Sequence, residues 1–399
     1  MTKIVNGDNG YAMPYRRRPR SMALSGPTPG AAPAGLGVRG IEVVQCIQNE
    51  KNDVLLVAGK PTLVRVYLDP GTVGASGTVT AELAWNRGGG EAYLPALNSI
   101  RLGPTSPILI GAQRGKLDNS LNFLLPPEAR AKGPLHLRLS RVTQMGGSDL
   151  ALAAPAAVDV TMVESAPLRI RVIGLRYLDS QQRPVSPAAI HFSYLQSFLL
   201  RAYPIAEIIW SQIVVDADFS PPFDATTADF ANAQIAALRS REVSSGVDPK
   251  THYYGLVDDN GSRDFMRGKA FAIPDSAQPD VVASGPGGVA NGFSGDNDAS
   301  YADWYGAHEL GHTFGRFHPG FPPGMQDKSD LRFPYKDGCI SPPDGSFVGV
   351  DLGDPALGLP MTVMPSLTCH DVMTYADNQW LSSYTYEAIH TRLTAENAL

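Results

Sequence analysis

The chain has 399 residues, with 33 lysines and arginines against 39 acidic residues, which gives a formal net charge of -6. This balance argues against a nucleic-acid partner, because binding to a polyanion normally requires a basic surface. Apolar residues make up 43% of the chain, a globular composition, and no apolar run reaches the roughly 18 residues of a membrane span.

The length predicts at least two domains. Residues 1–37 mix Gly, Pro, Asn, Arg and Ala without periodicity, which predicts a disordered tail. The basic run at residues 16–20 is interpreted as part of this solvated tail, with a targeting or anionic-surface role as the alternative. No apolar segment typical of a secretory signal follows these charges, so these residues leave the location open.

Residues 38–165 show apolar side chains with a period of two, which is typical of strands with one buried face. The alternation is clear at residues 62–68, 135–139 and 158–162, and Gly- and Pro-containing turn signals separate such runs. Short strands at this spacing predict an all-β sandwich of immunoglobulin-like architecture.

Residues 166–399 change to alternating strands and helices. A strand at residues 168–172 precedes a helix for which Ser186 is the predicted N-cap and Pro204 the predicted end. The next predicted elements are a strand at 205–215, a helix at 230–241 and a strand at 252–257. This order predicts a separate domain of the α/β class.

The chemistry is concentrated in one motif of this second domain, His-Glu-x-x-His extended to a glycine and a third histidine. His308 and His312 lie four positions apart, so a helix places both imidazoles on one face, toward a single metal ion. Gly315 permits a positive φ, which lets the chain turn back and bring His318 to the same ion. Three nitrogen ligands with an open fourth position are typical of a catalytic zinc site.

Glu309 adjoins the first ligand. Its carboxylate is predicted to accept a proton from the water that attacks a carbonyl, so it is interpreted as a general base and not as a metal ligand.

With these residues and with the later segment Asp371-Val372-Met373-Thr374-Tyr375, the sequence resembles the metzincin family of zinc endopeptidases. The resemblance implies that Met373 forms an apolar floor under the imidazoles. It also implies that Tyr375 lies near the zinc as a ligand or oxyanion donor, with a buried structural tyrosine as the alternative. Asp371 differs from the serine common in the astacin-like and serralysin-like members, so no subfamily is assigned.

The same resemblance predicts a metzincin-type zincin fold for residues 166–399, Zn²⁺ as the cofactor and a protein or peptide as the substrate. It favours a secreted protein. It further implies that a peptide pairs as an extended strand with an edge strand above the zinc, for which residues 269–283 are the candidate.

The three cysteines do not match a cysteine-based zinc site. Cys46 is solitary. Cys339 and Cys369 both lie between the histidine motif and Met373, and two interpretations stay open, a disulfide that stabilises this segment or two free buried thiols.

The function predicted from the sequence is therefore hydrolysis of peptide bonds by a zinc metalloendopeptidase. Two alternatives remain: a zinc hydrolase acting on a non-protein amide, and a non-catalytic binding protein with a vestigial zinc site. The presence of Glu309 argues against the last, because a structural site needs no base.

Overall fold

The computed structural model describes residues 35–69, 77–103, 106–107, 109–221, 223–262, 265–289, 298–326 and 330–399. The predicted tail up to residue 34, with its basic run, lies outside these residues. Leu36, by contrast, is buried, and the first strand begins at Gly37. The described residues belong to one compact unit, Ala34–Leu399.

The first part of the chain is built almost entirely of strands. Its elements are β1 (Gly37–Val44), β2 (Ile47–Asn49), β3 (Leu56–Val57), β4 (Leu63–Asp69), β5 (Gly77–Asn86), β6 (Glu91–Pro95), β7 (Ile100–Leu102), the short helix α1 (Ile110–Arg114), β8 (Leu121–Leu124), β9 (Gly133–Gln144), β10 (Asp149–Leu150) and β11 (Ala157–Val163).

Nearly all of these strands form two sheets around one core. One sheet has the order β1-β4-β8, and the other has the order β3-β11-β9-β5-β6, with β7 and β10 added at its margins. The alternating residues predicted to face inward, such as Val64, Leu137 and Val160, are buried together in this core. The immunoglobulin-like assignment of this arrangement stays a prediction.

The second part mixes strands and helices. Its elements are β12 (Leu168–Leu178), β13 (Pro184–Val185), α2 (Ala189–Ala202), β14 (Ile208–Asp216), α3 (Thr227–Ser244), β15 (His252–Asp258), β16 (Lys269–Ala270), β17 (Ala283–Gly287), α4 (Ala302–Thr313), β18 (Phe347–Asp351), β19 (Thr362–Met364), β20 (His370–Asp371), β21 (Gln379–Trp380) and α5 (Ser383–Asn397).

A mostly parallel sheet organises this part. Strands β14, β12, β15 and β17 run parallel, and β16 pairs antiparallel with β17 at one edge. Helices α2, α4 and α5 share the hydrophobic core on one face of the sheet, and α3 covers the other face. This layering buries much of β12, β15 and β17, as parallel strands require, whereas no residue of the edge strand β14 is fully buried.

The helix predicted to begin after Ser186 starts later, at Ala189, and Ala188 occupies its N-cap position without a side-chain hydrogen bond. Pairing of Val185 with Tyr177 keeps the preceding chain extended, and the first helical hydrogen bond runs from the His191 N–H to the Ala188 carbonyl oxygen. The prediction of Ser186 as the N-cap is therefore wrong.

The two parts are connected by more than the covalent chain. Strand β2 pairs antiparallel with β18, so an early segment completes a three-stranded sheet with β18 and β19. Cys46 and Ile47 belong to the core shared by α2, α4 and α5, and the Trp380 indole N–H donates to the Cys46 carbonyl oxygen at 2.9 Å. Among the described residues, no helix combines the length and apolar character needed to cross a membrane.

Candidate metal centre

Helix α4 carries the first two histidines and the glutamate of the motif. It ends at Thr313, and Gly315 follows with a φ of 76°, which confirms the predicted turn. A Cβ atom at this position would also lie 2.7 Å from the Pro274 carbonyl oxygen, so both conformation and space require glycine. The turn returns the chain toward the helix and brings His318 beside it.

The three imidazoles converge through their Nε2 atoms. His318 Nε2 lies 3.3 Å from His308 Nε2 and 3.0 Å from His312 Nε2. Tetrahedral zinc with Zn–N bonds of about 2.0–2.1 Å requires N···N separations of about 3.3–3.4 Å. The three side chains form the one group of at least three potential ligands found among the described residues, and all three are buried. They are therefore able to hold one metal ion.

Hydrogen bonds on the opposite side of two rings orient them for this role. His308 Nδ1 lies 2.7 Å from the Val372 carbonyl oxygen, and His312 Nδ1 lies 2.7 Å from the Arg316 carbonyl oxygen. A carbonyl can only accept, so each Nδ1 must carry the proton, which leaves the Nε2 lone pair for a metal.

Burial lowers the pKa of His308 well below its ordinary value, and the neighbouring His312 and His318 lower it further. Desolvation and like-charge repulsion both disfavour the protonated form. The ring is thus held neutral, as a metal ligand must be.

The Glu309 carboxylate lies against strand β16. The Ala270 backbone N–H donates to this carboxylate, and Gly268 lies directly against it. Burial raises the pKa of Glu309 to about 8, and the Ala270 hydrogen bond opposes this rise. The structure therefore brings a buried carboxylate next to the first histidine, as the motif predicted.

The segment around Met373 lies under the histidines. Met373 is buried, and its Sδ packs so closely on Gly311 that any Cβ there would overlap it. The preceding carbonyl, from Val372, is the one that orients His308. The apolar contact with α4 agrees with a floor beneath the imidazoles.

Tyr375 stands beside the site with 49% of its surface exposed. Its ring centroid lies 4.8 Å from that of His318 and 5.6 Å from that of His308. The alternative of a buried core tyrosine is therefore wrong. The ring borders the space into which the Nε2 atoms point.

Two residues that support the site were not predicted. The buried Asp371 carboxylate accepts from the Met373 backbone N–H at 2.9 Å and from the Ser382 backbone N–H at 3.0 Å. Gln326 donates through Nε2 to the Met373 carbonyl oxygen and accepts from the Gly320 backbone N–H. In the sequence, Asp371 differs from the family pattern, but this difference did not predict its supporting role. No local pattern in the sequence predicts the role of Gln326.

Cys339 and Cys369 are free thiols in this structure, as is Cys46. Burial raises the pKa of the Cys369 thiol to about 12, and the nearby Cys339 contributes to the rise. Of the two interpretations left open by the sequence, the structure agrees with free thiols and not with a disulfide.

The candidate substrate edge is present but shorter than predicted. Only Lys269 and Ala270 form strand β16, which pairs on one side with β17. The segment passes directly over Glu309, so a main chain paired here lies close to the site.

Comparison with known proteins adds little to this picture. The sequence matches no protein-family model and no curated protein. Among solved structures, metalloproteinase-II from Bacteroides fragilis is similar over 79% of this chain and 91% of that chain, with 11% sequence identity and a TM-score of 0.28. A TM-score this low does not establish a common fold, so the function rests on the residues of the site.

Proposed function

We propose that the protein is a zinc-dependent metalloendopeptidase of the metzincin type. One observation carries the proposal: three buried Nε2 atoms converge, with His318 3.3 Å and 3.0 Å from the other two, beside the buried carboxylate of Glu309. Three ligands alone fit many metal sites. A base adjoining the first ligand is typical of hydrolytic sites.

The donor set favours zinc. His308, His312 and His318 offer three neutral imidazole nitrogens, and their spacing suits tetrahedral coordination with one position left for water or substrate. When bound, a zinc ion lowers the pKa of a water molecule and polarises a substrate carbonyl.

Glu309 moves the proton. Its carboxylate accepts a proton from the attacking water and returns it to the departing amine, so the group ends the cycle in its starting state. Burial, which raises its pKa to about 8, suits this exchange, because a base with a pKa near the working pH both accepts and releases a proton readily.

We assign to Tyr375 and β16 the contacts with the substrate. A hydroxyl on a ring beside His308 and His318 is suited to donate a hydrogen bond to the oxyanion that forms at the carbonyl. An extended peptide that lies along the edge at residues 269–283 would lie above Glu309. Protein or peptide is therefore the proposed substrate, and the astacin-like or serralysin-like subfamily remains unassigned.

Replacement of Glu309 by Gln tests the proposal. We expect the variant to bind one zinc ion per chain with unchanged affinity, because the three imidazoles are retained, and to lose at least a thousandfold in kcat/KM on a denatured protein mixture. Zinc content and cleavage profiling by mass spectrometry measure both quantities. Exposed Glu91→Gln, on β6, is the matched control.

Full peptide cleavage by the Glu309→Gln variant would contradict the mechanism. A wild-type protein that binds zinc but cleaves no peptide bond, while it hydrolyses a glycan-linked or other non-protein amide, would favour the alternative hydrolase. Zinc binding without hydrolysis of either substrate would favour the vestigial site.

A further inference from the structure

Strand β14 is a long sheet edge whose apolar side chains reach the surface. Its nine residues pair on one side with β12, and no strand pairs with its other side within the described residues. Ile209, Ile213 and Val214 are 47%, 42% and 40% exposed. Residues 208–215 contain no charge, proline or glycine, the features that usually protect an edge from pairing.

The direction of the free backbone groups follows from the ladder with β12. The Leu168 N–H donates to the Glu207 carbonyl oxygen, and the Ala217 N–H donates to the Arg176 carbonyl oxygen, so odd-numbered residues of this segment bond to β12. Because hydrogen-bonding direction alternates along a strand, the N–H and C=O groups of the even-numbered residues point outward. Water can satisfy such a row, and a second extended strand can replace that water group by group.

Helix α3 adds a surface of mixed apolar and polar side chains beside this edge. Ile209 and Ile213 share a sheet face with Val215, which packs into the core under α3. On the outer side of α3, a groove of about 710 Å³ is lined by Phe230, Ala233 and Ala237 and by the polar or charged side chains of Asp218, Gln234, Ser240 and Arg241. The Gln234 side chain joins the two features, since it donates to the Asp216 carbonyl oxygen at 2.7 Å.

We propose that β14 and the outer side of α3 form a homodimer interface, in which β14 of a second copy pairs antiparallel with β14 and continues the sheet. Nine residues of strand span about 30 Å. A strand with one covering helix layer is about 20 Å thick, so each copy buries about 600 Å². The total of about 1,200 Å² lies at the lower end for specific interfaces.

Charge makes a second copy a suitable partner. Antiparallel pairing centred on Gln212 sets Ser211 opposite Ile213 and Trp210 opposite Val214, so no like charges meet. The flanking Asp216 carboxylate is already neutralised by Arg176 at 2.6 Å. An apolar strand opposite an identical apolar strand also buries the exposed isoleucines of both copies.

Sedimentation velocity of the full-length protein over a wide range of concentrations tests the interface. We expect the wild type to sediment at twice the monomer mass and to dissociate on dilution. Gln212→Pro removes an outward N–H and leaves the bonds to β12, so this variant should be monomeric; the side-chain bond from the Trp210 indole is lost equally in the Gln212→Ala control. Val214→Lys, which places a charge on the exposed edge, should also be monomeric.

Matched controls are Gln212→Ala, which keeps the N–H, and Leu331→Lys, which adds a charge at a residue 96% exposed elsewhere. Both should remain dimeric, and thermal unfolding should show that every variant is folded. A wild type that stays monomeric at all concentrations overturns the proposal. The same holds if this monomer binds an unrelated extended peptide at β14, because the partner is then not a second copy. A dimer that persists in Val214→Lys also overturns it.

Discussion

Two glycines let the side chains of the site approach the backbone closely. Gly311 leaves room on α4 for Met373, and Gly268 leaves room beside β16 for Glu309 and Tyr305. Neither position has a positive φ, so the requirement at both is for space and not for conformation. At the scale of single residues, the Glu309 carboxylate therefore keeps its position because its neighbour Gly268 has no Cβ.

Gly268→Ala should displace the Glu309 carboxylate, because the new Cβ would lie 2.7 Å from Glu309 Cδ and 2.5 Å from Tyr305 Cε1. We expect kcat/KM to fall about tenfold to a hundredfold while zinc content stays unchanged, as small misplacements of a catalytic group produce losses of this size. Gly89→Ala, whose Cβ meets nothing within 4 Å, should keep full activity. Equal activities of the two variants would show that the Gly268 contact does not position the base.

Lys60 provides a pH-dependent test of burial. Its Nζ donates to the Leu200 carbonyl oxygen at 2.5 Å, and burial lowers its pKa from an ordinary 10.5 to about 8, while the negative charge of Asp351 opposes this shift. Between these two values the unfolded chain binds more protons than the folded protein. Stability contributed by this group therefore rises with pH through that window.

Relative to Lys60→Met, the wild type should gain about 3 kcal/mol in free energy of unfolding as pH rises from about 8 to about 10.5. Urea unfolding of both proteins at several pH values measures the difference, and the other titrating groups cancel in it. A constant difference across this range would mean that the Lys60 pKa is not lowered in the folded state.

At the scale of elements, one carboxylate connects the segment under the histidines to helix α5. Asp371 is fully buried, accepts from the backbone N–H groups of Met373 and Ser382, and lies at the start of α5, where Ser382 is the N-cap. Because Val372 orients His308, this connection extends from α5 to a metal ligand.

Asp371→Ala should leave these buried N–H groups without an acceptor and reduce the free energy of unfolding by about 2–4 kcal/mol. It should also weaken zinc binding about tenfold or more, since the Val372 carbonyl loses its fixed position. Chemical unfolding and competitive zinc titration measure the two effects. Exposed Asp344→Ala is the control, and a variant as stable as that control would contradict the role of Asp371.

At the scale of the whole molecule, the β-rich part and the α/β part share structure. Strand β2 lies in a sheet with β18 and β19, and Ile47 packs in the same core as α4. The buried ion pair of Arg114 with Glu42, at 2.7 Å, lies at this junction, where Arg114 also donates to the Ser346 carbonyl oxygen. The α/β part therefore depends on the earlier segment for its core.

A chain of residues 166–399 alone should not fold stably, because it would lack β2 and expose the apolar surface that Cys46, Ile47 and Val54 cover. Residues 35–399 should unfold in a single cooperative transition. Circular dichroism and calorimetry of the two chains test this expectation. A fragment that unfolds cooperatively at the same midpoint as the longer chain would show that the two parts are independent.

Local patterns explain which features the sequence predicts. The strand predicted at 62–68 is β4, and the helix predicted at 230–241 lies within α3, because periodicity reports the buried face of a single element. His308, Glu309, His312 and His318 fall within one short segment, so helix geometry and one glycine turn are enough to predict their convergence. Met373 and Tyr375 were predicted by resemblance to a family.

The remaining features depend on residues far apart in the chain. Three such features leave no periodic or local signal in the sequence. They are the pairing of β2 with β18, the contact of Gly268 with Glu309, and the hydrogen bond between Asp371 and Ser382. The sequence by itself determined the three candidate ligands, the candidate base and the order of the two parts, because these follow from spacing along the chain. Only the tertiary structure decided what orients Glu309 and the three histidines, because close packing brings together residues that no local pattern relates.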